Sequence, residues 1–442
     1  MSRARLFRHA ASTFGTLLLS TLIGLASRIL LSRGLGPEHL GEYTAAVLVP
    51  SLVVSFLGFG IDVASIHLVG SGRVAAGDGF RAVMALVLVN AIVALPLLWI
   101  LLPSLSNRVL GGAPVSAARL ALLALPVLLL TTYLNGLLQG MGKVLAYNAV
   151  ALAGPLLSLG LLAALSATKS LQLSTSLVAW GLMQLAAAST AFILVARRVR
   201  LKWSPSWPTV LQLIRSGIWP YVANALGFAS RRVDSLVLLA FLGTTALGQY
   251  SQATTIAALF WFAATAAATA LAPEIARRGG GDRGALTAAT CRVVLAVLAV
   301  AVVAWLLADR VIVTVLFGVQ FAPAVVPLRW LFPAVVAASV EKVLAGDLIG
   351  RGRTWVTAIS AAVAFTASAV GSLLLTRPLG AVGAALSSSL GAAAAAGLTG
   401  HIYGRMTGQH WRQLLVPRLS DLRAMVTVAR ETVGQWAGSR SV

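Results

Sequence analysis

This chain repeats itself. Leu35-Gly36-Pro37-Glu38-His39-Leu40-Gly41-Glu42-Tyr43 returns as Leu242-Gly243-Thr244-Thr245-Ala246-Leu247-Gly248-Gln249-Tyr250, both reading L-G-x-x-x-L-G-x-Y, at an offset of 207 residues. Leu138-Gln139-Gly140-Met141-Gly142-Lys143 returns as Leu348-Ile349-Gly350-Arg351-Gly352-Arg353 at an offset of 210. Two phrases at nearly one offset require a duplicated unit of roughly 200 residues. Whatever the first half folds into, the second half is expected to fold into again.

What surrounds the phrases is apolar. The chain is 58% hydrophobic and 10% charged, with a mean hydropathy of +0.90, whereas a soluble domain carries about 25% charged residues. Runs of about 20 apolar residues suffice to cross a bilayer. Twelve are legible: 11–33, 43–69, 82–103, 119–140, 146–166, 174–196, 211–242, 249–274, 289–308, 326–348, 354–375 and 380–402. The expected fold is an all-α polytopic membrane protein with twelve transmembrane helices. Val311 to Gly318 is apolar but too short to cross, so it is expected to extend the ninth span or lie in the interface.

The net charge of +22 invites a nucleic-acid reading, which the placement of the charge excludes. With the N-terminus inside, 21 Lys and Arg fall on cytoplasmic segments, against four on the other side (Arg108, Lys169, Arg310 and Arg377). That is the positive-inside asymmetry of a membrane protein, and it puts both termini in the cytoplasm. The basic N-terminus leads into a long first span that belongs to the repeat, so it reads as a retained anchor rather than a cleaved signal. The lone cysteine, Cys291, permits no intramolecular disulfide.

Six spans per half is an even number, so both copies enter the membrane from one side. The repeat is parallel, with its axis along the membrane normal. This gives an N-lobe over 1–196, a cytoplasmic linker over 197–210, a C-lobe over 211–402 and a basic tail over 403–442. The L-G-x-x-x-L-G-x-Y phrase sits in the turn between the first two spans of each lobe, its tyrosine suited to the outer interface. The Gly-x-Gly-basic phrase sits in a cytoplasmic turn. It lacks a preceding strand and the G-x-x-x-x-G-K-[ST] pattern, so it is not a phosphate loop. In the tail, Trp411, Leu415, Leu419, Leu422, Val426, Ala429, Val433 and Trp436 recur at steps of three and four, with Arg412, Arg418, Arg423 and Arg430 off that stripe. An amphipathic helix on the cytoplasmic leaflet fits.

Charges inside spans are costly and tend to line aqueous cavities. Arg28 lies in the first span and Arg231 and Arg232 in the seventh. Ala26-Ser27-Arg28 and Ala229-Ser230-Arg231 are the same tripeptide at an offset of 203, one helical turn short of 207, which keeps both arginines on roughly the same face. A planar guanidinium pairs well with phosphate oxygens, so an anionic, phosphate-bearing ligand is expected. The competing reading is internal pairing, with Asp234 three residues from Arg231 as the neutralising partner. Asp62, Asp234, Glu341 and Asp347 are the candidates for ion coupling; Glu341, Lys342 and Asp347 fit a relay and a structural cluster equally. Asn135 and Gln139, with Thr132, form a polar stripe for sugar hydroxyls or for helix–helix bonding, and Tyr221 and Asn224 read the same way. No metal cluster or nucleophile–base pair supports an enzyme, and no cofactor is implied.

Leu25 to Tyr43 (LASRILLSRGLGPEHLGEY) resembles the opening of the polysaccharide-transporter flippases, in the multidrug/oligosaccharidyl-lipid/polysaccharide exporter superfamily. Leu316-Phe317-Gly318, the Leu138 to Lys143 turn and Pro220 are similar to the same pattern. The resemblance covers roughly residues 10 to 402 and rests on turns and small residues. It implies two six-helix lobes in a V around a central cavity. It also implies alternating access that moves an undecaprenyl-diphosphate-linked oligosaccharide across the cytoplasmic (inner) membrane for surface polysaccharide. Arg28 and Arg231 would hold the diphosphate; membrane lipids, and a polymerase or glycosyltransferases of the pathway, would be partners. Two alternatives stay open. One is a cation-coupled multidrug exporter, although such exporters usually keep an acid in the N-lobe cavity. The other is a non-transport scaffold of a polysaccharide-assembly complex.

Overall fold

The computed structural model describes residues 3–108, 110–199, 207–277 and 283–416. Among them the regular structure is helical. The first half holds α1 (Arg3–Leu57), α2 (Ile61–Gly70), α3 (Ala76–Arg108), α4 (Val115–Leu122), α5 (Leu125–Gly140), α6 (Val144–Ala167) and α7 (Leu173–Ala196). The second holds α8 (Trp207–Ser230), α9 (Val233–Arg277), α10 (Arg283–Leu306), α11 (Asp309–Phe317), α12 (Val325–Gly350), α13 (Thr354–Leu379), α14 (Ala381–Thr407) and the short α15 (Trp411–Leu415). Nine of the described helical segments are long and apolar enough to cross a membrane.

The repeated phrases shape the backbone identically. α1 breaks at Gly36 (φ 73°, ψ 176°) and α9 breaks at Gly243 (φ 78°, ψ −171°). A side chain disfavours those angles, and glycine adopts them freely. The other phrase ends α5 and α12 in matching caps. Lys143 N–H bonds Leu138 O and Arg353 N–H bonds Leu348 O, both at 2.8 Å, while Gly142 and Gly352 take φ +68° and +75°. These are Schellman closures, in which the left-handed glycine lets the amides turn back onto the last free carbonyls.

The two copies of L-G-x-x-x-L-G-x-Y also meet. A Cβ on Gly41 would run into the Thr244 carbonyl, and a Cβ on Gly248 would run into the Pro37 carbonyl. Gly41 and Gly248 are repeat counterparts, and so are Pro37 and Thr244. The contact is therefore reciprocal, as a local two-fold requires. Small residues let helix backbones approach where lipid supplies no hydrophobic drive. Gly41→Ala is expected to destabilise the protein by about 1–3 kcal/mol, the usual cost of forcing atoms into a packed contact. Gly160→Ala, with open space around the added carbon, should leave the melting temperature of the detergent-purified protein unchanged or higher.

Three expected spans prove to be interrupted, one of them, 119–140, at the Leu123–Ala124 turn between α4 and α5. The stretch 43–69 breaks at Gly58 to Gly60, where Phe59 and Gly60 take φ 46° and 62°. The freed carbonyls at the end of α1 find tyrosines instead: Tyr133 OH donates to Leu57 O at 3.1 Å and Tyr221 OH to Phe56 O at 2.6 Å. The stretch 211–242 breaks at the Arg231–Arg232 turn between α8 and α9. The tyrosines of the repeated phrase, Tyr43 and Tyr250, are buried within the protein. The tail from Pro417 onward lies outside the described residues.

One hydrophobic cluster joins α1, α4, α7, α9, α11, α12 and α14 across both halves. A second is confined to the first half and the start of α8, and a third to the second half.

A cation-lined cavity and its filled counterpart

Eight residues before the Gly36 break, about 12 Å along the helix, α1 presents Arg28 to a cavity of about 270 Å³. The walls come from α1, from Pro155 and Ser158 of α6 and from Trp180 and Met183 of α7, all in the first half. The second half contributes Arg232. Arg28 is half-buried, and its Nη1 lies 3.4 Å from the Thr44 hydroxyl. Arg232 sits over the Phe228 ring, 5.7 Å from its centroid. Among the described residues no carboxylate lines the cavity. The Ser27 hydroxyl is buried and has no hydrogen-bond partner among the described residues.

The repeat shows what is missing here. The shared breaks fix the register at 207, so Ser27 corresponds to Asp234, Arg28 to Ser235 and Tyr43 to Tyr250. In the second half that position is closed. The Asp234 carboxylate accepts from the Tyr250 hydroxyl at 2.6 Å, the Ser388 hydroxyl at 2.7 Å and the Ser235 N–H at 2.6 Å. A buried anion held by three donors is a satisfied structural group. In the first half the anion is replaced by serine, a cation stands beside it, and the space stays open. The cavity suits an anion supplied from outside the chain.

This register overturns the correspondence of Arg28 with Arg231. A shift of one helical turn keeps two residues on one face only if the helix is continuous, and the chain turns at Arg231–Arg232. Arg232 shares the cavity with Arg28, whereas Arg231 lies outside it, within electrostatic range of Glu341 on α12. Asp234 does not neutralise Arg231, because its oxygens are occupied as above.

The other expected site residues lie elsewhere. Asp62 begins α2, half-buried, with Gly136 of α5 packed on its backbone. Asn135 is half-buried with an unpartnered Oδ1, Gln139 is exposed and donates to Asn135 O at 3.4 Å, and Asn224 is exposed. Tyr221 spends its hydroxyl on Phe56 O between the halves. Asp347 is wholly buried and accepts from Thr287 and Tyr403, each at 2.6 Å, and from the Arg351 guanidinium. Those hydrogen bonds raise the Arg351 pKa. Asp347 is thus satisfied by groups of the chain itself, and Glu341 stands apart from it, near Arg231. Sequence reasoning missed Ser27, Tyr43 and Trp180 as cavity residues. Tyr43 was within reach, since its counterpart recurs sixteen residues after Asp234 just as Tyr43 follows Ser27.

The sequence profile of a family described as polysaccharide biosynthesis protein matches residues 6–278, more than half of the chain and all of the cavity's lining. The chain belongs to that family. Several solved transporter structures share the fold of this polysaccharide biosynthesis family member. One is a lipid II flippase, MurJ, in an inward closed conformation: TM-score 0.77, 12% identity, 95% of this chain and 92% of that one covered. Another is an inward-facing multidrug resistance MATE family transporter of the MOP superfamily: TM-score 0.71, 18% identity, 90% and 97% covered. A third is a MOP superfamily transporter from Pyrococcus furiosus whose binding pocket is described as reversed in polarity: TM-score 0.64, 18% identity, 90% and 94% covered. At these identities the likeness is one of fold. No curated protein matches the sequence.

Proposed function

We propose that this protein is a flippase that moves a polyprenyl-diphosphate-linked oligosaccharide from the inner to the outer leaflet of the cytoplasmic membrane. The reading takes the breaks at Gly36 and Gly243 as outer turns, which divides the helices into two six-span lobes with both termini cytoplasmic. The observation that carries it is the cavity lined by Arg28 and Arg232, with no carboxylate among the described residues, in the position where the other half holds Asp234. A diphosphate supplies the missing anion, and its sugars would cross between the lobes. Alternating access then requires the halves to part at one end at a time. At one end the links are Gly41 with Gly248 and Arg33 with the Leu316 carbonyl at 3.0 Å. Toward the other end they are Gly60 with Gly217 and Tyr221 with Phe56.

A cation-coupled drug exporter usually keeps a carboxylate facing its cargo, whereas the charged groups among the described lining residues here are Arg28 and Arg232. The deciding experiment is reconstitution. Proteoliposomes holding the purified protein and a fluorescent polyprenyl-diphosphate oligosaccharide are expected to show the label appearing in the opposite leaflet. Efflux of lipophilic cations without flipping would overturn the reading in favour of the exporter.

A further inference from the structure

The register between the halves extends to a further pair of helices. Thr168-Lys169-Ser170-Leu171 returns as Thr376-Arg377-Pro378-Leu379 at an offset of 208. The helices that follow, α7 and α14, bury matching positions at that offset: Leu177, Ala179 and Val195 in one, Ala385, Ser387 and Tyr403 in the other. Trp180 is therefore the counterpart of Ser388, whose hydroxyl donates to Asp234.

Each of the three donors around Asp234 now has a donor as its counterpart. Tyr250 corresponds to Tyr43, Ser388 to Trp180, whose indole N–H can only donate, and Ser235 to Arg28. All three counterparts line the first-half cavity, and so does Ser27, which stands where Asp234 stands. Ser27 is 9% exposed, and its hydroxyl has no partner among the described residues. The donors are kept and the acceptor is gone. Buried donors without an acceptor are costly, so the position fits an acceptor that arrives with a ligand. The charges differ as well. Asp234 is held by two hydroxyls and an amide, with no cation among these partners. The first-half cavity has two guanidinium groups, Arg28 and Arg232. A single carboxylate would balance one of them, whereas a diphosphate diester carries a charge on each phosphorus and balances both.

Resting on the flippase reading for the nature of the anion, we propose that one phosphate of the ligand takes the place that the Asp234 carboxylate holds in the second half. Tyr43 and Trp180 donate to it beside Arg28 and set its specificity, and Arg232 meets the other phosphate. The test uses full-length protein in detergent, titrated with inorganic pyrophosphate, with affinity and melting temperature read together. Ser27→Asp gives the first half its own carboxylate, within reach of the same donors. It is expected to bind pyrophosphate at least roughly tenfold more weakly than wild type, yet to melt at or above it, and to lose that stability when Arg28→Ala is added. Ser27→Asn, of the same shape without the charge, should lose less. Tyr43→Phe is expected to weaken pyrophosphate roughly tenfold, whereas Tyr250→Phe should lower the melting temperature and bind pyrophosphate as wild type does. Equal losses in Ser27→Asp and Ser27→Asn would show bulk rather than charge and overturn the proposal. So would a Ser27→Asp protein that melts well below wild type, because the carboxylate would then have found no partners, or Tyr43→Phe binding as wild type does. If Arg28→Ala alone lost pyrophosphate, this placement would fall and the flippase reading would stand. A wild type that neither bound pyrophosphate nor flipped the labelled lipid would overturn both.

Discussion

Arg28→Ala is expected to lower flipping by one to two orders of magnitude at unchanged membrane abundance. A hydrogen bond to a charged group contributes about 1.5–3 kcal/mol, and each 1.4 kcal/mol is a factor of ten. The loss is large because, among the described lining groups, only the Arg232 guanidinium is also charged, and the rest are hydroxyls, a thioether, aliphatic groups and aromatic rings. Arg28→Lys keeps the charge but loses the planar fork, so partial activity is expected. Arg232→Ala should resemble Arg28→Ala, since both guanidinium groups line one space. Arg231→Ala should leave flipping near wild type, because its side chain lies outside the cavity. Initial rates in proteoliposomes, normalised to reconstituted protein, measure all four. A defect in Arg231→Ala as deep as that in Arg28→Ala would mean that the anion is held at the α8–α9 turn instead.

The repeat and the apolar runs made the helical class and the positions of the two glycine breaks legible, because both depend on local chemistry. A glycine that must take φ near +75° writes the same letter into both copies. The register of the arginines was not legible in the same way. Ala-Ser-Arg occurs in both halves, and only the turn at Arg231–Arg232 shows that these tripeptides are not equivalent. That turn carries no glycine or proline and so leaves no mark in the sequence. Asp234 was misread for a related reason: spacing placed it near Arg231, whereas its true partners, Tyr250 and Ser388, are distant in the chain. The open cavity became visible only through comparison of two structural positions, one holding aspartate and the other serine. Asn135, Gln139 and Asn224 were selected as polar residues within apolar spans, a criterion that does not distinguish one face of a bundle from another.

Asp347→Ala is expected to be the most destabilising single change among the acidic residues of the second half. The carboxylate is fully buried and ties together three helices: Thr287 on α10, Tyr403 on α14 and Arg351 just past α12. Removing it leaves two buried hydroxyls and a guanidinium without their acceptor. Breaking a buried charged pair from one side costs about 3–5 kcal/mol. Asp347→Asn keeps an acceptor oxygen for one or two of the donors, so its loss should be smaller. The cluster lies beside the start of α10, against which α15 packs, so loosening it should also free Trp411 from Gly400. Thermal unfolding of the purified protein, followed in parallel with tryptophan fluorescence, reads both effects. If Asp347→Ala melted with wild type yet abolished flipping, the carboxylate would belong to the coupling mechanism rather than to the scaffold.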